Sequence, residues 1–206
     1  MNGNKTVNVV GAGLSGLSAA ITLAGSGVMC NLISAQPSER AQSVLAEGGI
    51  NAALDTMGEH DTTAEHFEDT MRGGCYLESE SAVSNLTKNA PDVVRWLVKL
   101  GVPFNSEDGR LILRNFGGQA TKRTAYAKSS TGKIIMTALI DEARRYEVSG
   151  LIKRYPHHEL TGINVSVNSY GKKTLDSVTV RDVYSGLSLS FSGTTILCSG
   201  GMNGFF

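Results

Sequence analysis

Gly11-Ala12-Gly13-Leu14-Ser15-Gly16 separates two stretches of different hydrophobic period, and this junction constrains the fold more than any other feature of the chain. Before it, Val7 to Val10 is a short β-branched run that reads as a buried strand. After it, Leu14, Leu17, Ile21 and Leu23 recur at helical spacing as far as Ser26, and Gly27 stops the helix. Val28 to Ser34 then makes a second strand, so the chain opens on a βαβ unit and its class is α/β. In G-x-G-x-x-G the first glycine permits the tight turn and the second lets a pyrophosphate approach the backbone. The third lets helix and strand pack, and the helix N-terminus offers N–H groups and a positive dipole end. In a strand–turn–helix setting the motif reads as a dinucleotide cradle rather than a chance turn. The acidic residue that usually ends the second strand is replaced by Ser34, which either meets a ribose hydroxyl or merely caps the strand.

Paired glycines punctuate the rest of the chain at Gly48-Gly49, Gly73-Gly74, Gly117-Gly118 and Gly200-Gly201. The total of 24 in 206 residues is about 12%, against a usual share of roughly 7%. Bare backbone at such loops suits close approach to a ligand. Residues 37–51 form a long polar loop. Helices are expected at Asp61–Met71, capped by Asp61 or Thr62, at Ser79–Asn89, at Pro91–Leu100 and at Thr131–Tyr146. From Leu151 onward alternation takes over, in Ile163-Val165-Val167, Val178-Val180-Val183 and Leu187-Leu189-Phe191. Turn signals at Ser169-Tyr170-Gly171 and Ser185-Gly186 make this an antiparallel meander feeding a last buried strand, Thr195–Cys198.

Composition excludes several classes. The chain has 19 basic and 19 acidic side chains, a balance without the basic footprint that nucleic acid or an anionic membrane selects. No apolar run reaches the roughly 18 residues of a membrane span. The start, Met1 to Thr6, leads directly into a strand, so no secretory signal is expected. Cys30, Cys75 and Cys198 are widely spaced and odd in number, which points to a reducing, cytoplasmic compartment and to no metal site. They read as small buried hydrophobes, and Trp96 with Val93, Val94, Leu97 and Leu100 reads as a core face. His157-His158 lack partners at ligand spacing, and His66 reads as a packing or hydrogen-bonding residue rather than a base.

A run of segments in order resembles the flavoprotein subunits of fumarate reductase and succinate dehydrogenase, a superfamily that includes L-aspartate oxidase. They are the glycine fingerprint, Leu32-Ile33-Ser34, Ser43-Val44-Leu45-Ala46-Glu47-Gly48-Gly49-Ile50-Asn51-Ala52-Ala53 and His66-Phe67 with Asp69-Thr70. Arg114-Asn115-Phe116-Gly117-Gly118-Gln119, Arg123-Thr124-Ala125-Tyr126, Thr131-Gly132 and Leu197-Cys198-Ser199-Gly200-Gly201 complete it. The resemblance implies a Rossmann-like FAD-binding domain over residues 1–206. Residues 1–36 would form the βαβ fingerprint, 37–147 the flavin loop and a helical insertion, and 148–206 the meander and last strand, without the family's capping domain. It implies FAD as cofactor, with Gly11, Ala12, Gly13, Leu14, Ser15 and Gly16 at the pyrophosphate and Ser34 and Ala35 near the adenosine ribose. Gln42, Ser43, Ala46, Glu47, Gly48 and Gly49 would line pyrophosphate and isoalloxazine, the backbone near Glu159–Thr161, Leu160 included, would meet the adenine, and Ser199 and Gly200 would lie at the end of the last strand.

Two departures shape the functional expectation. Aligning Arg40-Ala41-Gln42-Ser43-Val44 with the family puts Gln42 where membrane-bound members carry the histidine that bonds FAD, so the cofactor should be non-covalent. That favours fumarate-type reduction or an oxidase over succinate oxidation, and Gln119 to Thr124 resembles fumarate reductase more than L-aspartate oxidase. The family's dicarboxylate-binding and proton-delivering residues are expected beyond Phe206, and only Phe116 is placed near the substrate, with plain loop packing as its alternative. The expected function is therefore the FAD-binding portion of a reductase acting on an unsaturated dicarboxylate such as fumarate, not catalytic alone. An iron–sulfur or other electron-donor partner could hold it peripherally at the inner membrane face. The alternatives are a non-catalytic fragment or remnant, suggested by the Gly204-Phe205-Phe206 ending, and an L-aspartate oxidase-like oxidase; an NAD-dependent dehydrogenase is disfavoured by Ser43–Ala53.

Overall fold

A computed structural model describes residues 6–201. Met1–Lys5 and the apolar Gly204-Phe205-Phe206 ending lie outside the described residues. The chain divides into two compact units, one of residues 1–44 and 139–206 and one of residues 45–138.

In the first unit β1 (Val7–Val10), α1 (Leu14–Gly25) and β2 (Cys30–Ser34) form the expected βαβ unit. The apolar side of α1, Leu17, Ala20, Ile21 and Ala24, is buried, as are Val9, Leu32 and Ile33 on the strands. Each such Leu or Ile contributes about 1.5–3 kcal/mol by leaving water. The polar member of β1, Asn8, is buried too: its Oδ1 accepts from Asn31 Nδ2 at 2.9 Å and its Nδ2 donates to the Ser192 carbonyl at 3.1 Å. Both amide ends are thus satisfied inside the sheet.

The second unit holds β3 (Ile50–Asn51), α2 (Thr63–Gly73), α3 (Glu80–Lys99) and four two-residue strands, β4 (Ser106–Glu107), β5 (Arg110–Leu111), β6 (Leu113–Arg114) and β7 (Thr124–Ala125). Thr62 and Glu65 form a reciprocal capping box that starts α2. The sequence suggests two helices across Pro91, but the structure has one, α3, with Pro91 inside it. A continuous buried stripe of Val83, Thr87, Ala90, Pro91, Val94 and Leu97 outweighs the one backbone bond that the proline deletes. The same stripe corrects the expected core face: Val93 is exposed and Trp96 only half-buried. Cys75 is exposed on the turn after α2, at φ +56°, and Cys198 is half-exposed, so only Cys30 behaves as a buried hydrophobe. Burial pushes its thiol up to about 11.

Helix α4 (Thr131–Val148) belongs to the second unit as far as Ala138 and to the first from Leu139. Back in the first unit follow β8 (Ile152–Pro156), β9 (His158–Val167), β10 (Lys173–Asp182), β11 (Ser188–Ser192) and β12 (Thr195–Leu197). The parallel sheet runs β12-β1-β2-β8, and β9, β10 and β11 form a separate antiparallel sheet in the order β11-β10-β9. Val180 of β10 joins Val10 and Ile33 in one buried cluster, with Tyr155, Leu160 and Phe191 packed against it. Among the described residues no helix is long and apolar enough to cross a membrane.

Candidate functional site

The strand-to-helix turn of the first unit opens onto a groove of about 660 Å³. Gly11 to Ser15 form one wall, Ser34 to Pro37 and Arg40 to Ser43 another, and Leu197 to Gly200 the third. Gly11 adopts φ +109°, and a Cβ there would overlap the Cys198 carbonyl. Gly16 lies behind the groove, where a Cβ would overlap the Gly11 carbonyl, so it sets the helix-to-strand spacing. Gly13, the N-cap residue of α1, supplies no side-chain cap, and the first turn holds no acidic residue. Ser43 Oγ accepts from the Leu14 N–H at 3.3 Å, leaving its own proton for a further acceptor. Apart from the Leu14 N–H, the groove therefore ends on N–H groups without a partner among the described residues and on a positive helix end, an arrangement suited to an anion.

A smaller pocket of about 340 Å³ adjoins the end of β2, lined by Leu32, Ser34, Pro37, Glu39, Arg154 and His157 among others. Ser34 Oγ donates to the Gln36 carbonyl at 2.7 Å, which ties the strand end and leaves the hydroxyl as an acceptor only. Two ion pairs frame this pocket, Glu39–Arg144 at 2.9 Å and Glu147–Arg154 at 2.7 Å.

In the second unit the Ala46–Gly49 loop is held by its carbonyls, through donors from Arg114, Thr131 and Gly132. The Ala46 carbonyl accepts from the Gly132 N–H at 2.6 Å and the Glu47 carbonyl from Thr131 Oγ1 at 3.4 Å. Arg114 Nη2 donates to the Gly48 carbonyl at 2.6 Å and to the Glu47 carbonyl at 3.3 Å. Gly49 sits at φ +119°, with a hypothetical Cβ 2.6 Å from the Ala125 carbonyl. A Cβ on Gly48 would lie 3.3 Å from the Phe116 ring, so that ring rests on the loop. Gln119 Oε1 accepts from the Phe116 N–H at 3.1 Å and closes the Phe-Gly-Gly turn.

Beside this lies a buried ion cluster. Arg123, 1% exposed, places Nη2 2.9 Å from Asp61 Oδ1 and 3.0 Å from Asp69 Oδ2. The Asp61 contact is an ion pair without hydrogen-bond alignment, and Arg123 Nε and Nη1 have no partner. His66 is buried nearby, and burial, then the Arg123 charge, hold its imidazole below the usual range.

The profile of the FAD binding domain family matches residues 6–205. The chain belongs to that family. It is 44% identical over 159 residues to the succinate dehydrogenase flavoprotein subunit of Bacillus subtilis, a match covering 77% of this chain and 27% of that protein. It is 32% identical over 201 residues to L-aspartate oxidase 2 of Ralstonia nicotianae, covering 97% of this chain and 35% of that protein. Among solved structures, an Escherichia coli quinol fumarate reductase shares its fold at TM-score 0.84 and 26% identity, over 96% of this chain and 32% of that one. The Mycobacterium smegmatis Sdh1 complex gives TM-score 0.85 and 27% identity, over 96% and 34%. The chain thus spans about a quarter to a third of the length of these relatives.

As a member of the FAD-binding domain family, this is a flavoprotein sequence and its cofactor is FAD. The groove fits that group, with uncapped N–H donors for a pyrophosphate and room for an extended dinucleotide. Gly11 to Ser15, Ser34, Ala35, Gln42, Ser43, Ser199 and Gly200 come together on it, with Gly16 behind. Ala46 to Gly49 and Phe116 come together in the second unit. Leu160 does not line the groove or the adjoining pocket; it packs on Val10, Ile33 and Val180. Sequence reasoning missed Glu39, Glu147 and Arg154 at the pocket and the role of Arg114. Glu39 carried one available signal, a carboxylate five residues past the strand end that lacks one.

Proposed function

We propose that this chain is the FAD-binding portion of a fumarate reductase-like flavoprotein, which in its complete form reduces an unsaturated dicarboxylate. The uncapped N-terminus of α1 facing the Ser34–Ser43 wall is the observation that carries the reading. Gly11 to Ser15 and Ser43 would hold the pyrophosphate, with Ser199 and Gly200 flanking it. Ser34, Ala35 and the Glu39 pocket would hold the adenosine side, and Ala46 to Gly49 would face the flavin's N5/O4 edge. FAD, when bound, supplies hydride-transfer chemistry. These residues orient it, and the Ala46–Gly49 amides donate where negative charge develops on reduction. Gln42 lines the groove at the position read as the family's flavin-linking histidine, and its amide is no partner for a histidyl bond, so the flavin is held non-covalently.

Helices α2 and α3 form the insertion in this reading, and β9 to β11 the meander. Residues outside this chain supply the cap, the dicarboxylate-binding groups and the proton donor, while an iron–sulfur or other electron-donor partner docks the protein at the cytoplasmic membrane face. The purified 206-residue chain, loaded with FAD, is then expected to show no steady-state fumarate reduction with a reduced viologen dye. Turnover by this chain alone would overturn the division of labour. The match to L-aspartate oxidase 2 over nearly the whole chain supports a second reading, a flavin oxidase. Fumarate-dependent dye oxidation by the complete protein favours the first, and L-aspartate-dependent oxygen consumption the second.

A further inference from the structure

Three consecutive carbonyls of the Ala46–Gly49 loop are each taken by a donor. Gly132 N–H takes Ala46, Thr131 Oγ1 and Arg114 share Glu47, and Arg114 takes Gly48 at 2.6 Å. No peptide bond among the described residues is cis. In a trans peptide the carbonyl of one residue and the N–H of the next point in opposite directions. Fixing the carbonyls of residues 46 to 48 therefore fixes the N–H groups of Glu47, Gly48 and Gly49, each pointing away from the carbonyl of its own peptide unit. None of the three donates to another described residue.

Arg114 is built for this task. Its guanidinium lies 4.4 Å from the Tyr126 ring centroid and 5.7 Å from that of Phe116, a stacked setting that holds the planar fork. Its Nε is buried without a partner, so the side chain is anchored by the two loop carbonyls and the rings. Backbone carbonyls are neutral acceptors, and no carboxylate among the described residues pairs with Arg114, so its charge adds a field to the donors it aligns.

We propose that Arg114 is a positioning residue for the flavin. It orients the Gly48 and Gly49 amides toward the N5/O4 edge and raises the reduction potential of the bound cofactor. The proposal rests on the reading that this loop faces the flavin. Loss of the guanidinium lets the loop peptides turn and removes donors from the edge that gains charge on reduction.

The test is the midpoint potential of FAD bound to the full 206-residue chain, measured by dye equilibration in the wild type, Arg114→Gln and Arg114→Lys. Arg114→Gln is expected to retain FAD but to shift the reduced-to-oxidised equilibrium at least tenfold toward oxidised, about 30 mV for a two-electron couple. Arg114→Lys, with a point charge in place of the fork, is expected to fall between, about threefold from wild type. A melting temperature lowered in both variants with an unmoved potential would mean a merely structural residue and would overturn the proposal. Should Arg114→Gln fail to fold, Arg114→Lys decides, since a wild-type potential there contradicts the proposal equally. A wild-type chain that takes up no FAD would instead bring down the underlying reading, an outcome distinct from FAD binding with an unmoved potential.

Discussion

Gly13→Val is expected to lose FAD affinity at least a hundredfold while leaving the thermal melting transition within a few degrees of wild type. Gly13 precedes α1 at φ −83° and ψ −163°, ordinary extended backbone for a β-branched residue. A Cβ there meets only Ser43 Oγ at 3.2 Å and the Ala41 methyl at 3.8 Å, so the branched side chain projects into the groove with little effect on the core. It would stand where a pyrophosphate must approach the helix N-terminus, and a hundredfold loss corresponds to about 2.8 kcal/mol of displaced phosphate contacts. Gly11→Ala provides the contrast. Its φ of +109° and the overlap with the Cys198 carbonyl strain the junction of β1 and β12 itself, so stability and FAD binding fall together. Melting curves and flavin-fluorescence titrations of the two variants separate a ligand-facing glycine from a fold-bearing one.

Replacing Arg123, a fully buried charge, is expected to cost more stability than replacing an exposed one. Arg123→Met leaves the Asp61 carboxylate, 1% exposed, with no cation among the described residues, and Asp69, 10% exposed, with Arg72 alone. Removing one partner of a buried pair costs about 3–5 kcal/mol, which for a chain of this size lowers the melting temperature by roughly 10 °C. His66 adds a pH signature. Its folded-state pKa lies below the unfolded value, through burial first and the Arg123 charge second. The unfolded chain therefore takes up protons first, and the stability that neutral His66 contributes is complete above about pH 6.5 and is lost as pH falls below it. In Arg123→Met the Arg123 charge that lowers the His66 pKa is gone, while Asp61 and Asp69, which raise it, remain. The gap in stability between wild type and variant should then narrow between pH 7 and pH 5.5, as read by urea unfolding at each pH. A constant gap would separate His66 from the cluster.

The parts of the fold that were legible in the sequence are those whose signal is a period or a turn residue. The β1–α1–β2 unit shows itself because the apolar spacing switches from β-branched run to helical repeat at Gly11. The turns at Asn168–Lys172 and Asp182–Leu187 carry glycine and asparagine or aspartate signals. Strand β8 was not legible: Lys153, Arg154 and Tyr155 lie on the edge of a parallel sheet and break the continuous apolar run that a central strand shows. The unbroken α3 was hidden by Pro91, because tertiary burial of its neighbours overrides the local penalty.

At the site, the glycine fingerprint was legible because the chemistry needs bare backbone at fixed spacing. Arg114 was not, because its partners are main-chain carbonyls, which leave no mark on the sequence. Arg123 was likewise invisible as a buried ion, since charge alone does not distinguish a solvated arginine from one enclosed by Asp61 and Asp69. The resemblance places Leu160 near the adenine through its backbone, and its side chain packs against the cluster of Val10, Ile33 and Val180, which is what its apolar type records.

The central claim is that this chain forms a non-covalent FAD site on the uncapped start of α1, and titration of the purified 206-residue chain with FAD tests it most directly. The account predicts saturable quenching of flavin fluorescence at one FAD per chain, abolished by Gly13→Val, with all flavin released to the supernatant on acid precipitation. Absence of saturable quenching, equal binding by Gly13→Val, or flavin retained in the acid pellet would contradict it.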